Sequence, residues 1–262
     1  MKSLILTLAT AATLAIPIAA ARAEVPPALP TSLAADTRQQ LARNLELKAD
    51  VARAREQYYI AANWYIAALR YDAANPSLYI KLGITEMKIG DMDTARKDFA
   101  LAVKHDPSNV DALNNLGAVY TLQRRYRPAV RYLKEALALD ESKAATHLNL
   151  AEAWAGQKQM DRAMTEYARA LELDADILNS TDKEGVFAQV STPEQKALVS
   201  FMIARAYVKR GNIEGALDYL RQAKEQHYKE LASVYTDPAF TPLWKDPRLA
   251  EIVKPQGEIA KR

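Results

Sequence analysis

The sequence contains no cysteine, which excludes disulfide bonds, thiolate metal sites, a catalytic cysteine and a lipidated N-terminal cysteine. Glycine is scarce, with 8 residues in 262, whereas alanine, the strongest helix former, accounts for 48. An excess of charge of one sign is also lacking, because 35 Lys and Arg face 32 Asp and Glu. This balance argues against a strongly basic nucleic-acid binder, and an aromatic content of 8% argues against disorder throughout the chain. The composition predicts a helical protein with one long domain or two short ones.

Long apolar runs are missing as well, except at the N-terminus. Residues 4–20 are uncharged and apolar or small, Lys2 precedes them, and Ala21-Arg22-Ala23 follows as a small-x-small cleavage site. This layout is typical of a secretory signal peptide covering residues 1–23. A permanent membrane anchor is the alternative, but the run is short for a span and contains Pro17. The sequence therefore predicts an exported protein, periplasmic or secreted, with no integral membrane segment after cleavage and 33 basic against 32 acidic residues.

A 34-residue repeat organises the remainder of the chain. Three ungapped segments begin at Pro76, Val110 and Ala144, and they agree at several places of the repeat. Leu occupies the seventh place, and small residues occupy the eighth, twentieth and twenty-seventh places. A large residue occupies the twenty-fourth place. The matching residues are Leu82, Leu116 and Leu150; Gly83, Gly117 and Ala151; Ala95, Ala129 and Ala163; Phe99, Leu133 and Tyr167; and Ala102, Ala136 and Ala170.

Within each segment, apolar residues recur at helical spacing in two runs separated by a polar break, which predicts a helical hairpin. Small residues let the two helices approach closely, and we expect Gly117 to face Ala129 across its hairpin. The pattern resembles the tetratricopeptide repeat family, with Tyr120 and Trp154 at the family's large eleventh place and Glu86 departing from it. The resemblance implies an all-α, right-handed α-solenoid of about five helix-turn-helix units with a C-terminal helical cap.

The resemblance divides the chain into segments. Residues 24–31 form a proline-rich lead-in, residues 32–228 the repeat array, and residues 229–262 the cap and tail. Units are expected near residues 42–75, 76–109, 110–143, 144–177 and 197–228, with an insert at 178–196. Thr192-Pro193 followed by Gln195 predicts a helix that begins near Pro193. The insert is interpreted as a surface loop or, alternatively, as a loop that reaches into the groove of the array.

The sequence lacks the common motifs of catalytic, phosphate-binding and metal sites. The sequence contains no phosphate-binding glycine loop, nucleophile elbow or His-Glu-x-x-His motif. The three histidines, His105, His147 and His227, are far apart, and His147 falls at a packing place of its repeat. We therefore predict no catalytic residues, no metal site and no cofactor, and interpret His147 as a hydrogen-bonded interior residue.

The family resemblance implies a concave groove lined by the first helix of each hairpin, with a protein or peptide as partner and no nucleic acid. The expected groove residues are Ile80, Ile84, Met87, Asn114, Ala118, Leu122, Leu148, Glu152, Phe201 and Arg205. Ile80 and Ile84 replace the Lys and Asn with which some family members clamp a C-terminal carboxylate. The expected function is an interaction scaffold with a largely apolar groove in which Ile84, Ala118 and Leu148 are exposed. A module that self-associates through its repeat ends is the alternative.

Overall fold

A computed structural model describes residues 34–174, residue 177 and residues 193–253, and every regular element in them is a helix. The chain divides into two compact units, residues 1–73 and 74–262. The first unit contains α1 (Ala35–Ala54) and α2 (Tyr58–Leu69), which form a hairpin. The second unit contains α3 (Pro76–Ile89), α4 (Met92–His105), α5 (Val110–Leu122), α6 (Tyr126–Leu139), α7 (Ala144–Gly156), α8 (Met160–Leu173), α9 (Pro193–Lys209), α10 (Ile213–Glu225) and α11 (Pro247–Val253), with 3₁₀ helices at Leu231–Tyr235 and Pro238–Leu243.

The helix starts of the second unit reproduce the spacing of the sequence. Helices α3, α5 and α7 begin at Pro76, Val110 and Ala144, and α9 begins at Pro193, as its capping pattern predicts. Side chains fix several of these starts: Asn75 accepts a hydrogen bond from Ser77 N at 3.0 Å, and the same type of cap precedes α4, α5 and α10. Consecutive hairpins of this unit pack on one another, so the predicted all-α solenoid is confirmed here.

Each hairpin turn contains a residue in the left-handed backbone region at the fifteenth place of its repeat. This residue is Gly90 (φ 97°) or Gly211 (φ 76°) in two turns, but Glu56, Arg124 and Lys158 (φ 59–62°) in the other three. The next amide then donates to a carbonyl five residues back, as from Asp91 N to Glu86 O at 2.9 Å, which closes a Schellman-type helix end. The turn geometry is therefore common to all five hairpins, although only two of them use glycine.

Replacing Gly90 by alanine is expected to lower the free energy of unfolding by about 1 kcal/mol, because an L-residue is strained at this φ. Nothing lies within 4 Å of an added Cβ, so the effect comes from the backbone alone. Lys158→Ala is the matched control, since Lys158 already adopts this conformation with a side chain, and its substitution should change stability little. Urea unfolding of the two variants makes the comparison, and equal effects would contradict the strain argument.

The small and large places of the repeat form the interior of every hairpin. In all five second helices, the residues at the twentieth, twenty-fourth and twenty-seventh places are inaccessible to solvent. The same is true of the eighth-place residue in α1, α7 and α9. A Cβ on Gly117 would lie 2.5 Å from Leu133 Cγ, and one on Gly83 would lie 2.7 Å from the Phe99 ring. The atoms nearest to a Cβ on Gly117 therefore belong to the large twenty-fourth-place side chain of Leu133, whereas the sequence predicted that Ala129 faces this glycine.

The C-terminal residues cover the apolar side of the last hairpin. Val234, Phe240 and Leu243 from the 3₁₀ helices are fully buried and join the cluster that α9 and α10 form, together with Leu249 of α11. The indole of Trp244 donates to Val234 O at 2.8 Å. Asp-Pro sequences begin the second 3₁₀ helix and α11, as at Asp237, which accepts a hydrogen bond from Ala239 N at 2.9 Å.

Candidate protein-binding surface

The expected groove residues lie on the first helices of the hairpins, and the structure divides them between two buried clusters. Ile84 and Ala118 belong to one cluster, against which Ile80, Met87 and Leu122 pack while half-buried. Leu148 and Phe201 belong to the other, which continues into α10 and the C-terminal helices. The groove positions of α3 and α5 are thus brought together, whereas those of α7 and α9 share only the large cluster that extends to α11.

The expectation that Ile84, Ala118 and Leu148 are exposed was wrong. Their exposed fractions are 8%, 0% and 3%. The reason is the stacking of the first helices: α5 is contacted by α3 and α7 as well as by its hairpin partner α6 and by α4. A residue that an isolated hairpin would present to solvent is therefore covered by the neighbouring hairpins.

The polar groove residues are also engaged within the protein. The amide nitrogen of Asn149 donates to Asn114 Oδ1 at 3.0 Å, which links α7 to α5. Glu152 is buried and accepts a hydrogen bond from the hydroxyl of Tyr167, and burial raises the pKa of Glu152 to about 7. Among the groove residues, Arg205 is half-buried, and its Nε lies 2.9 Å from an oxygen of Asp237.

The accessible apolar part of the predicted groove is therefore narrower than expected. Ile80 and Met87 on α3 and Leu122 on α5 keep part of their surface exposed above the buried Ile84 and Ala118. The same two helices carry exposed charged residues, Lys88 next to Met87 at the end of α3 and Asp111 at the start of α5. Phe201 packs against Tyr228 and Phe240, with ring centroids 4.7 and 5.2 Å away, and is only 3% exposed.

His147 is an interior residue, as the sequence predicts. Its Nδ1 lies 2.6 Å from Glu166 Oε2 and its Nε2 lies 3.0 Å from Glu141 O, which ties α7 to α8 and to the preceding loop. Burial lowers the pKa of His147, but the hydrogen bonds to Glu166 and Glu141 outweigh it, so the net shift is upward. The ring borders an open cleft of about 660 Å³ between α8 and α9, which sequence reasoning did not find.

Two buried carboxylates in the hairpin of α3 and α4 were not predicted as a pair. Glu86 and Asp98 are 4% and 7% exposed, and Asp98 Oδ2 has no hydrogen-bond partner among the described residues. Burial, and then the charge of Glu86, raise the pKa of Asp98 to about 7. The sequence carried one signal for this pair, because Glu86 stands where the repeat pattern has a large aromatic or apolar residue.

Arginine side chains stack on the aromatic residues along one side of α4, α5 and α6. The guanidinium of Arg125 lies 4.9 Å from the centroid of the Tyr120 ring, and that of Arg131 lies 4.4 Å from Tyr132. The two tyrosine rings are parallel with centroids 5.7 Å apart. Sequence reasoning missed this arrangement because it depends on contacts between successive helices.

In the part of the chain that the structure describes, no helix is long and apolar enough to cross a membrane. Over the same residues, no group of three or more His, Asp or Glu side chains converges on a point where they could hold a metal ion. The predicted signal peptide, the lead-in and residues 178–192 of the predicted insert lie outside the described residues.

Family models described as tetratricopeptide repeat match residues 72–142, 122–176 and 199–227, which together make up about half of the chain. Among curated proteins, "Protein CTR9 homolog" from Arabidopsis thaliana is 29% identical over 132 residues, half of this chain and 12% of that protein. The "General transcriptional corepressor trfA" of Dictyostelium discoideum is 24% identical over 97 residues, 37% of this chain and 7% of that protein. The chain thus spans only a small part of the curated relatives it matches.

Among solved structures, two of MamA are similar to this chain, one of them comprising residues from 41 to the end of the protein from Desulfovibrio magneticus RS-1. Both have a TM-score of 0.52 and 19% identity. They cover 76% and 74% of this chain and 96% and 97% of their own chains. At this identity the likeness concerns the fold alone.

Proposed function

We propose, on the premise that the chain belongs to the tetratricopeptide repeat family, that it is an exported, non-enzymatic scaffold that binds a peptide or helix of a protein partner. The observation that carries this proposal is the accessible apolar surface of Ile80, Met87 and Leu122 on adjacent first helices. Half-exposed apolar side chains grouped on one face of a rigid support are typical of an interaction site.

The geometry suits an extended or helical ligand. Ile80 and Met87 are seven residues apart on α3, so they lie on one face about 10 Å apart along the helix axis. Ligand anchors separated by two helical turns match that distance. The buried Ile84 and Ala118 hold the backbone beneath, so binding requires little ordering of the site.

The test of this site is the double substitution Met87→Glu with Leu122→Glu, combined with a photo-crosslinking residue placed at Ile80 in intact cells. We expect the substitutions to abolish the crosslink to a partner peptide, identified by mass spectrometry, because two charges in an apolar groove oppose burial of apolar anchors. Leu139→Glu, at an exposed apolar position on α6, is the control and should leave the crosslink unchanged.

Circular dichroism of the same variants separates binding from folding, since partly exposed residues contribute less to stability than buried ones. A crosslink that persists in the folded double variant would contradict the groove proposal. A concentration-dependent mass of the purified protein, with this chain as the crosslinked product, would favour self-association through repeat ends.

The proposal that the protein is exported rests on the sequence of residues 1–23. Cleavage after Ala23 predicts a mature chain that begins at Glu24. N-terminal sequencing of the protein from a periplasmic or secreted fraction measures this directly. Intact Met1 in a membrane fraction would instead indicate an uncleaved anchor.

A further inference from the structure

One side of the second unit carries a connected row of arginine and tyrosine side chains, which we name the arginine–tyrosine edge: Arg96, Tyr120, Arg125, Arg131 and Tyr132. Arg125 and Arg96 lie over the Tyr120 ring at 4.9 and 6.0 Å. Tyr120 stacks on Tyr132 at 5.7 Å, and Arg131 lies over Tyr132 at 4.4 Å. Both rings are half-buried and pack on the interior cluster of α3–α5, so the row has a rigid base.

This edge carries more basic than acidic charge, although Arg96 lies 4.0 Å from the exposed Asp93. Residues 124–134 contain five basic and no acidic side chains, although the whole chain is nearly balanced. Within the described ranges, Arg124, Arg125 and Arg127 form no ion pair with any carboxylate. Arg131 is exposed and lies 3.8 Å from Glu135 in a solvated pair of the kind that contributes little to stability.

The basic residues at the start of α6, Arg125 and Arg127, are unfavourable for the stability of that helix. At the eighteenth place of the repeat, in the first turn of the second helix, Asp93, Asp161 and Glu214 favour the positive end of the helix dipole in α4, α8 and α10. Arg127 occupies the same place in α6, and the residue preceding that helix, Arg125, provides no side-chain cap. Folding of α6 would be favoured by the opposite charge.

We propose that the arginine–tyrosine edge is a second interaction surface, which binds an acidic segment of a protein partner. Guanidinium groups stacked on aromatic rings keep their planar N–H donors directed outward, where they can bind carboxylates in a bidentate manner. Stacking also removes much of the side-chain freedom that binding would otherwise have to restrict. An anionic membrane is a poorer fit, because the rings of the edge are half-buried and no apolar side chain of the row projects into solvent.

The surface is independent of the apolar groove. It uses the sides of α4, α5 and α6, whereas the groove uses Ile80, Met87 and Leu122 of α3 and α5. A partner that contacts both would carry an acidic segment next to its apolar anchors. A negative result for one surface therefore does not decide whether the other surface binds a partner.

The experiment measures fluorescence anisotropy of a labelled deca-glutamate peptide with the full chain and with Arg125→Gln/Arg131→Gln. We expect the double variant to bind at least about tenfold more weakly, since two charge-assisted contacts are lost. Arg169→Gln/Arg221→Gln removes the same charge from exposed arginines of α8 and α10, outside the arginine–tyrosine edge, and should retain the affinity. Added salt should weaken wild-type binding.

Arg127 lies four residues before Arg131 on the same face of α6, so Arg127→Glu distinguishes binding from structure, because the two effects have opposite signs. We expect it to raise the melting temperature by roughly 1–4 °C through the helix dipole while weakening peptide binding. Met87→Glu/Leu122→Glu should keep the affinity for deca-glutamate, which separates this surface from the groove. Equal losses in the two arginine double variants would overturn the proposal, as would binding to phosphatidylglycerol vesicles without binding to the peptide.

Discussion

Gly117→Ala is expected to lower the free energy of unfolding by about 1–3 kcal/mol, because the new Cβ would lie 2.5 Å from Leu133 Cγ. Both residues are fully enclosed: Leu133 is inaccessible to solvent, and Gly117 is buried in the middle of α5. The side chain of Leu133 can move only by displacing its neighbours in the interior of the hairpin. Urea unfolding of the variant measures the loss.

A double-mutant cycle tests whether this contact is the cause. Leu133→Ala alone should lower the free energy of unfolding by about 2–5 kcal/mol through the cavity that it leaves. In the double variant the Cβ of residue 117 occupies part of that cavity, so the combined loss should be smaller than the sum by about 1 kcal/mol or more. Gly117→Ala with Leu137→Ala is the control and should be additive. Additivity in both cycles would mean that Gly117 and Leu133 do not constrain one another.

The repeat geometry could be predicted because it is encoded locally. Small residues at the eighth place, the Asn or Asp caps and the recurrence of helix starts every 34 residues depend on neighbours within one hairpin. The role of Leu133 over Gly117 was harder to assign, since two residues of α6, Ala129 and Leu133, both fall on the face toward α5. Only the observed helix pairing decides between them.

The exposure of the groove residues could not be read from one repeat. Ile84 and Leu148 occupy expected groove places of the repeat, but in the stack of hairpins both are buried. The arginine–tyrosine edge has the same origin, since Arg96 of one hairpin stacks on Tyr120 of the next. A pattern within 34 residues specifies the hairpin, whereas the surface that stays accessible depends on how neighbouring hairpins pack on one another.

The free energy of unfolding is expected to fall as the pH rises from about 5 to 8, because of two buried carboxyl groups. Burial raises the pKa of Asp98 and of Glu152 to about 7, in Asp98 with the charge of Glu86 as a further cause. The folded chain therefore holds protons that the unfolded chain releases near pH 4. Stability is greatest below the unfolded pKa and declines until the pH passes the folded pKa near 7.

The ionisation of His147 also makes the free energy of unfolding fall as the pH rises. Its pKa is raised in the folded chain by Glu166 and the Glu141 carbonyl despite burial, so the stability that it contributes is present below its unfolded pKa and lost as the pH rises through the folded one. Glu172 and Asp246 act in the opposite sense, because hydrogen bonds from Lys209 and Arg248 lower their pKa values. Their contribution is lost only at more acidic pH, outside this range.

Asp98→Asn isolates one of these effects. The substitution removes the ionisation but keeps the size of the side chain, so it should raise the free energy of unfolding more at pH 8 than at pH 5, by about 1–3 kcal/mol. Glu152→Gln should behave similarly, since an amide oxygen still accepts the hydrogen bond from Tyr167. The double variant should therefore have a flatter stability profile than the wild type.

Urea unfolding at pH 5, 6, 7 and 8 measures these profiles, with Asp111→Asn as the control. Asp111 is exposed and lies 3.8 Å from Lys143, so its loss should change stability by less than about 1 kcal/mol at every pH. If Asp98→Asn alters stability equally at pH 5 and pH 8, Asp98 does not titrate between them. The pH dependence would then have to come from other groups, since only a group that changes protonation on unfolding contributes to the slope.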